Sequence, residues 1–65
     1  MCQSNAYLLE KSGGEKLLME DVSLITPLVD GGIELVGLFG DRLTVDASLK
    51  EMDLLKHRIV LAETN

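Results

Sequence analysis

Glycine-containing turns recur along this chain, and their spacing constrains the fold more than any other feature. They occur at Ser12-Gly13-Gly14-Glu15, at Asp30-Gly31-Gly32 and at Gly40-Asp41-Arg42. Glycine adopts positive φ without steric cost, so each of these turns can join two neighbouring strands as a hairpin. We therefore expect a series of short strands connected by tight turns.

The segments between the turns have the composition and alternation of strands. Residues 2–10 and 16–19 flank the first turn, which predicts a first hairpin. Residues 22–29 alternate at period two with several β-branched side chains, and residues 33–39 follow the second turn as the partner strand. Pro27 cannot donate to a sheet ladder, which indicates an edge position, a bulge or a break between two short strands.

Residues 46–56 fit either a helix or a strand. Ser48 followed three residues later by Glu51 is typical of a helix capping box, and apolar residues recur there at helical spacing. The strand pattern alternates less regularly in this segment. Residues 59–61 then form a clear strand core, and residues 56–58 can be the turn of a last hairpin, which favours a strand.

Together these segments predict an all-β protein, a small antiparallel β-barrel or sandwich of about six short strands joined by hairpins. We expect a single domain over residues 1–65, because a chain of this length has room for no more. Complete or partial closure into a barrel would protect the apolar strand edges from aggregation. The alternative is a two-sheet sandwich that a dimer partner completes.

The short length also limits the core, so a second source of stability is expected. Disulfides, metal ions and partner subunits are the usual sources, and the chain's single cysteine, Cys2, cannot form a disulfide within the chain. The remaining sources of stability are dimerisation and metal binding. The lone thiol, together with the lack of an apolar leader or a membrane-spanning run, predicts a cytoplasmic protein with no membrane partner.

Six basic residues against eleven acidic ones give a formal charge of -5, which repels nucleic-acid phosphates. RNA binding is nevertheless the alternative from another functional class, because small barrels can bind nucleic acid on one face. Only Tyr7 and Phe39 could stack on bases, and no particular RNA-binding residue is predicted. We expect no enzyme, because Cys2 has no base near it in sequence and the one histidine, His57, is distant.

Cys2 lies one residue from the amino terminus, which brings several metal donors close together. Its thiolate, its backbone amide and the terminal amine of Met1 can form chelate rings with one ion. Nitrogen and sulfur donors suit the tetragonal or square-planar geometry of Ni(II) and Cu(II) better than tetrahedral zinc. The simpler alternative is that Cys2 is a small apolar residue at the start of a strand. His57, between two basic residues, has the setting of a turn residue rather than a ligand.

One chain supplies too few donors for a closed metal site. A two-fold axis near Cys2 would bring two sulfur atoms and two nitrogen atoms to a single ion. The metal would then lie between the subunits of a homodimer, which would combine the two sources of stability that the size of the chain leaves open.

Several stretches of the chain resemble the CooT family, and the similarity covers nearly the whole length. These stretches are residues 1–9, 19–22, 38–40 and 57–61. The resemblance implies a very small β-rich protein that binds nickel as a homodimer through Cys2 and is associated with nickel supply to carbon monoxide dehydrogenase. It also favours a strand for residues 46–56. Many relatives are labelled predicted RNA-binding proteins, in line with the alternative above.

A second family, the hydrogenase-maturation chaperones of the HypC type, shares the Met-Cys start and a small barrel. Those chaperones hold an iron fragment through the cysteine and place a proline shortly after it. Residues 3–7 of this chain are Gln, Ser, Asn, Ala and Tyr, so the second resemblance is the weaker of the two. A HypC-like function is kept as a minor alternative.

Overall fold

The computed structural model of the chain describes residues 3–64 and consists there of six strands, with no helix in this range. The strands are β1 (Ser4–Leu9), β2 (Glu15–Pro27), β3 (Ile33–Gly37), β4 (Arg42–Val45), β5 (Ala47–Asp53) and β6 (Arg58–Glu63). This confirms the predicted all-β class with about six strands. Residues 46–56, for which the sequence fits two structures, contain β5 and the start of the turn that follows it. The described residues therefore contain no helix that could cross a membrane.

All six strands belong to one sheet, with the order β4-β3-β2-β1-β6-β5. Four of its ladders are antiparallel, and each of these joins strands that are consecutive in the chain. Three of the four follow the predicted glycine turns, and the fourth is the predicted last hairpin. The fifth ladder is parallel and joins the first and last strands, with Tyr7 opposite Val60. The sheet is therefore mixed, which differs from the expectation of a purely antiparallel one.

The two edge strands of the sheet, β4 and β5, are joined by the single residue Asp46. Because one residue cannot span a flat six-stranded sheet, the sheet curls until its two edges meet at this corner. The Thr64 N–H donates to the Asp46 carbonyl at 3.2 Å and holds the end of β6 there. No ladder joins β4 to β5 within residues 3–64, so the sheet forms a barrel that is only partly closed.

The core fills the inside of this curled sheet and is aliphatic. Leu35 of β3 and Leu61 of β6 are fully buried, and they are the largest side chains completely removed from solvent. Residues that share their cluster come from five of the six strands. They are Ala6, Met19, Val22, Ile33, Ala47 and Ile59. Neither aromatic side chain belongs to the cluster, which agrees with a core built from Leu, Val and Ile.

A bulge bends β2 so that its two halves serve different partners. Ser4 pairs with Val22 while Ala6 pairs with Met19, which leaves one extra residue in β2 opposite Asn5. Asp21 adopts a left-handed conformation at this bulge, with φ of 52°. The first half of β2 then pairs with β1, and the second half pairs with β3.

Pro27 is the last residue of β2 and pairs with Ile33 at the end of the ladder with β3. The ladder between β1 and β2 stops at the pair of Ser4 and Val22, several residues before Pro27. The missing N–H of Pro27 therefore interrupts no ladder between these two strands, which explains why proline is tolerated at this position.

Candidate functional site

The predicted metal ligands, Met1 and Cys2, lie outside the described residues. The description begins at Gln3, so the residues around the start of β1 at Ser4 are included.

Three separate segments are hydrogen-bonded together at the start of β1. The Asn5 N–H donates to the His57 carbonyl at 3.0 Å, which attaches the β5–β6 turn. The side-chain oxygen of Asn5 accepts from the Asp21 N–H at 3.2 Å, which attaches the β2 bulge. Asp21 and His57 are also the two non-glycine residues with positive φ in residues 3–64. The backbone around the start of β1 is thus held in one defined arrangement.

An open groove of about 300 Å³ lies beside Ser4. One wall is formed by residues 22–25 of β2, and the other by Met52 of β5 and Ile59 of β6. Met52 and Ile59 are cross-strand neighbours, so their side chains leave the sheet on the same, inward face. The groove therefore lies between the second half of β2 and the β5–β6 hairpin, which share no ladder in the described part of the chain.

Four exposed apolar side chains lie at this groove and in the turn that follows β5. Leu24 and Met52 line the groove and are 54% and 45% exposed, and Leu54 and Leu55 in the β5–β6 turn are 69% and 89% exposed. We call these four residues the apolar rim. Contiguous exposed apolar surface is a feature of many interaction sites.

His57 occupies an exposed turn, as predicted from its basic neighbours. Its φ of 56° places it in the left-handed region, and its carbonyl rather than its imidazole makes the bond to Asn5. Within residues 3–64, no group of three or more His, Cys, Asp or Glu side chains is arranged to hold a metal ion.

Both arginines of the chain are engaged by glutamates. Arg42 contacts Glu34 at 3.2 Å, instead of its sequence neighbour Asp41, and Arg58 donates to both carboxylate oxygens of Glu15 at 2.9 and 2.8 Å. The hydrogen bond that Arg58 donates to Glu15 raises the pKa of the Arg58 guanidinium above its ordinary value.

The two aromatic residues considered for base stacking have different surroundings. The Arg58 guanidinium lies over the Tyr7 ring, 4.4 Å from its centroid, and covers one face of it. Phe39, in the β3–β4 turn, is 88% exposed. Stacking along a single strand uses several aromatics beside a basic groove, and no such arrangement is present in the part of the chain that is described.

The family model for the CO dehydrogenase accessory protein CooT matches residues 1–62 of the chain. Three chains of solved structures match as well. One is a crystal structure described as a CooT from Carboxydothermus hydrogenoformans, with a TM-score of 0.86 and 30% sequence identity, covering 98% of this chain and 100% of that one. No curated protein matches.

Proposed function

Because the chain belongs to the CooT family of CO dehydrogenase accessory proteins, we propose that it binds Ni(II) and supplies it to a carbon monoxide dehydrogenase. The family description is that of an accessory protein, which agrees with an expected role outside catalysis. It also favours this function over that of the HypC-type chaperones. No feature of the described surface favours RNA binding.

The proposed donors are the thiolate of Cys2 and the terminal amine of Met1, or the amine of Cys2 itself if the initiator methionine is removed. Cys2 is two residues before Ser4 in the chain, and Ser4 lines the groove. Both donors must lose a proton, from reference pKa values of about 7.7 to 8.0 and about 8.5, so nickel affinity rises with pH.

We place the nickel ion on the two-fold axis of a homodimer, where each subunit contributes one Cys2. The observation that carries this proposal is the apolar rim around the start of β1. A two-fold axis there would bury the rim of one subunit against that of the other and would bring the two amino termini together. The exposed Leu54 and Leu55 would then be interface residues, which would explain two leucines in a solvent-facing turn.

Nickel titration followed by sedimentation tests this arrangement. We expect saturation at one nickel ion per two chains, together with a shift of the population to dimer. A Leu55→Asp variant should weaken dimerisation and nickel binding together, since it puts a charge into the interface. A Val29→Asp variant is the matched control, because Val29 is fully exposed in the distant β2–β3 turn. Saturation at one nickel ion per monomer, with Leu55→Asp behaving like Val29→Asp, would contradict the proposal.

A further inference from the structure

A second groove, of about 430 Å³, lies between the β2 bulge and β4. Its apolar floor includes Leu18 and Leu43, which pack against the core. Phe39 forms one side of the groove and remains 88% exposed. The rim carries three carboxylates, from Glu20, Asp21 and Asp41. We call this surface the acidic groove.

Phe39 is presented by a turn whose backbone is fixed. The Gly37 N–H donates to the Asp41 carbonyl at 2.7 Å, and the Gly40 N–H donates to the Gly37 carbonyl at 3.0 Å. The Leu38 N–H donates to the Asp21 carbonyl at 2.8 Å, which attaches the turn to the β2 bulge. Binding of a partner to Phe39 therefore costs little entropy for ordering the turn, which favours binding.

The electrostatics of the acidic groove select a cationic partner. None of its three carboxylates forms an ion pair with a residue in the range 3–64. Arg42, the one cation that lines the groove, is held by Glu34 at 3.2 Å. A lysine or arginine side chain on a partner would thus meet unneutralised negative charge beside an exposed aromatic ring.

The acidic groove is also close to the start of β1. The turn that carries Phe39 is bonded to Asp21, and the Asp21 N–H donates to the side chain of Asn5 at 3.2 Å. Asn5 is three residues from Cys2 in the chain. A partner docked in the groove would be held near the amino terminus, where the proposed nickel donors lie.

From these observations we infer that the acidic groove is the docking surface for the client enzyme, which binds through a segment with a basic side chain next to an apolar one. The apolar side chain packs on Phe39 and the groove floor, and the basic side chain faces Glu20 and Asp41. This inference rests on the proposed function, because it takes the recipient of the nickel ion as the partner.

The test is binding of the nickel-loaded protein to carbon monoxide dehydrogenase from the same source, measured by biolayer interferometry at several salt concentrations. We expect Phe39→Ala to weaken binding at least about tenfold, as loss of a central aromatic contact commonly does. The double variant Glu20→Gln, Asp41→Asn should also weaken binding and should reduce its salt dependence. Val29→Ala, which shortens a fully exposed side chain in the β2–β3 turn, is the control and should bind like the unmodified protein.

Nickel titration of the same variants separates this inference from the proposed function. We expect all of them to bind nickel normally, because none of the changed residues is a proposed donor. If Phe39→Ala and the double variant bind the enzyme as tightly as the control, the docking surface is overturned while nickel delivery stands. If the unmodified protein forms no complex with the enzyme, both the docking surface and delivery to this client are overturned.

Discussion

A Cys2→Ser variant is expected to lose nickel binding by roughly a hundredfold or more. Changes to residues that only support a metal ligand already cost about 10-fold to 100-fold in affinity, and Cys2 is the proposed ligand itself. Serine keeps the size of the side chain but replaces the soft thiolate by a hydroxyl that stays protonated. The measurement is the thiolate-to-nickel absorption band during titration, together with the dissociation constant from calorimetry.

His57→Asn is the matched control for this experiment. His57 is the chain's one histidine, and asparagine tolerates the left-handed conformation that the β5–β6 turn requires at this position. We expect the control to keep both the absorption band and the affinity of the unmodified protein. An unchanged nickel response in Cys2→Ser would contradict the assignment of Cys2, and loss of binding in His57→Asn would move the site to the turn.

Leu35→Ala is expected to destabilise the fold by about 2–5 kcal/mol, through lost burial and the cavity left behind. Leu35 is fully buried on β3, inside the aliphatic cluster that strands β1, β2, β3, β5 and β6 form. Domains have about 0.05–0.15 kcal/mol of stability per residue, which gives about 3–10 kcal/mol for this length. The variant would therefore lose a large share of the total stability.

Urea unfolding of the metal-free protein, followed by circular dichroism, measures this loss. The comparison is with Val29→Ala, which shortens a fully exposed side chain and should change the free energy of unfolding by less than about 0.5 kcal/mol. Equal midpoints for the two variants would show that the inner face of β3 is not the centre of the core.

The hairpins were predictable from the sequence because each depends on local chemistry. Gly13, Gly31 and Gly40 all adopt positive φ, and each lies in a turn between two strands that pair with each other. Residues 46–56 show the limit of local patterns. There, β5 is an edge strand with a bulge near Lys50, so its alternation is irregular and its side chains are largely exposed. The clear strand core at residues 59–61, preceded by a turn, predicts the strand correctly.

The contacts between distant segments could not be predicted from local patterns. The parallel pairing of β1 with β6 and the corner at Asp46 depend on how the whole sheet curls. The same holds for the acidic groove, since Glu20 and Asp41 line one groove only because the β2 bulge and the β3–β4 turn are neighbours. A sequence signal did exist in Phe39, a large apolar residue placed directly before the turn residues Gly40 and Asp41.

The candidate metal centre was identified by a different route. The position of Cys2 beside the amino terminus predicts a chelate, and the resemblance to the CooT family predicts Ni(II) as the metal. The match over residues 1–62 establishes the family. The structure describes a groove beside Ser4 and the apolar rim. Leu54 and Leu55 had carried no functional interpretation in the sequence, because exposure of a turn is not visible in a pattern of apolar residues.

The most direct test of the central claim is X-ray absorption at the nickel edge, on protein loaded with one nickel ion per two chains. Two Cys2 thiolates on a shared axis predict two sulfur atoms bound to each nickel ion, with nitrogen donors in the remaining positions of a tetragonal or square-planar site. A nickel ion surrounded by nitrogen and oxygen alone, or by a single sulfur atom, would contradict a shared site at the dimer axis.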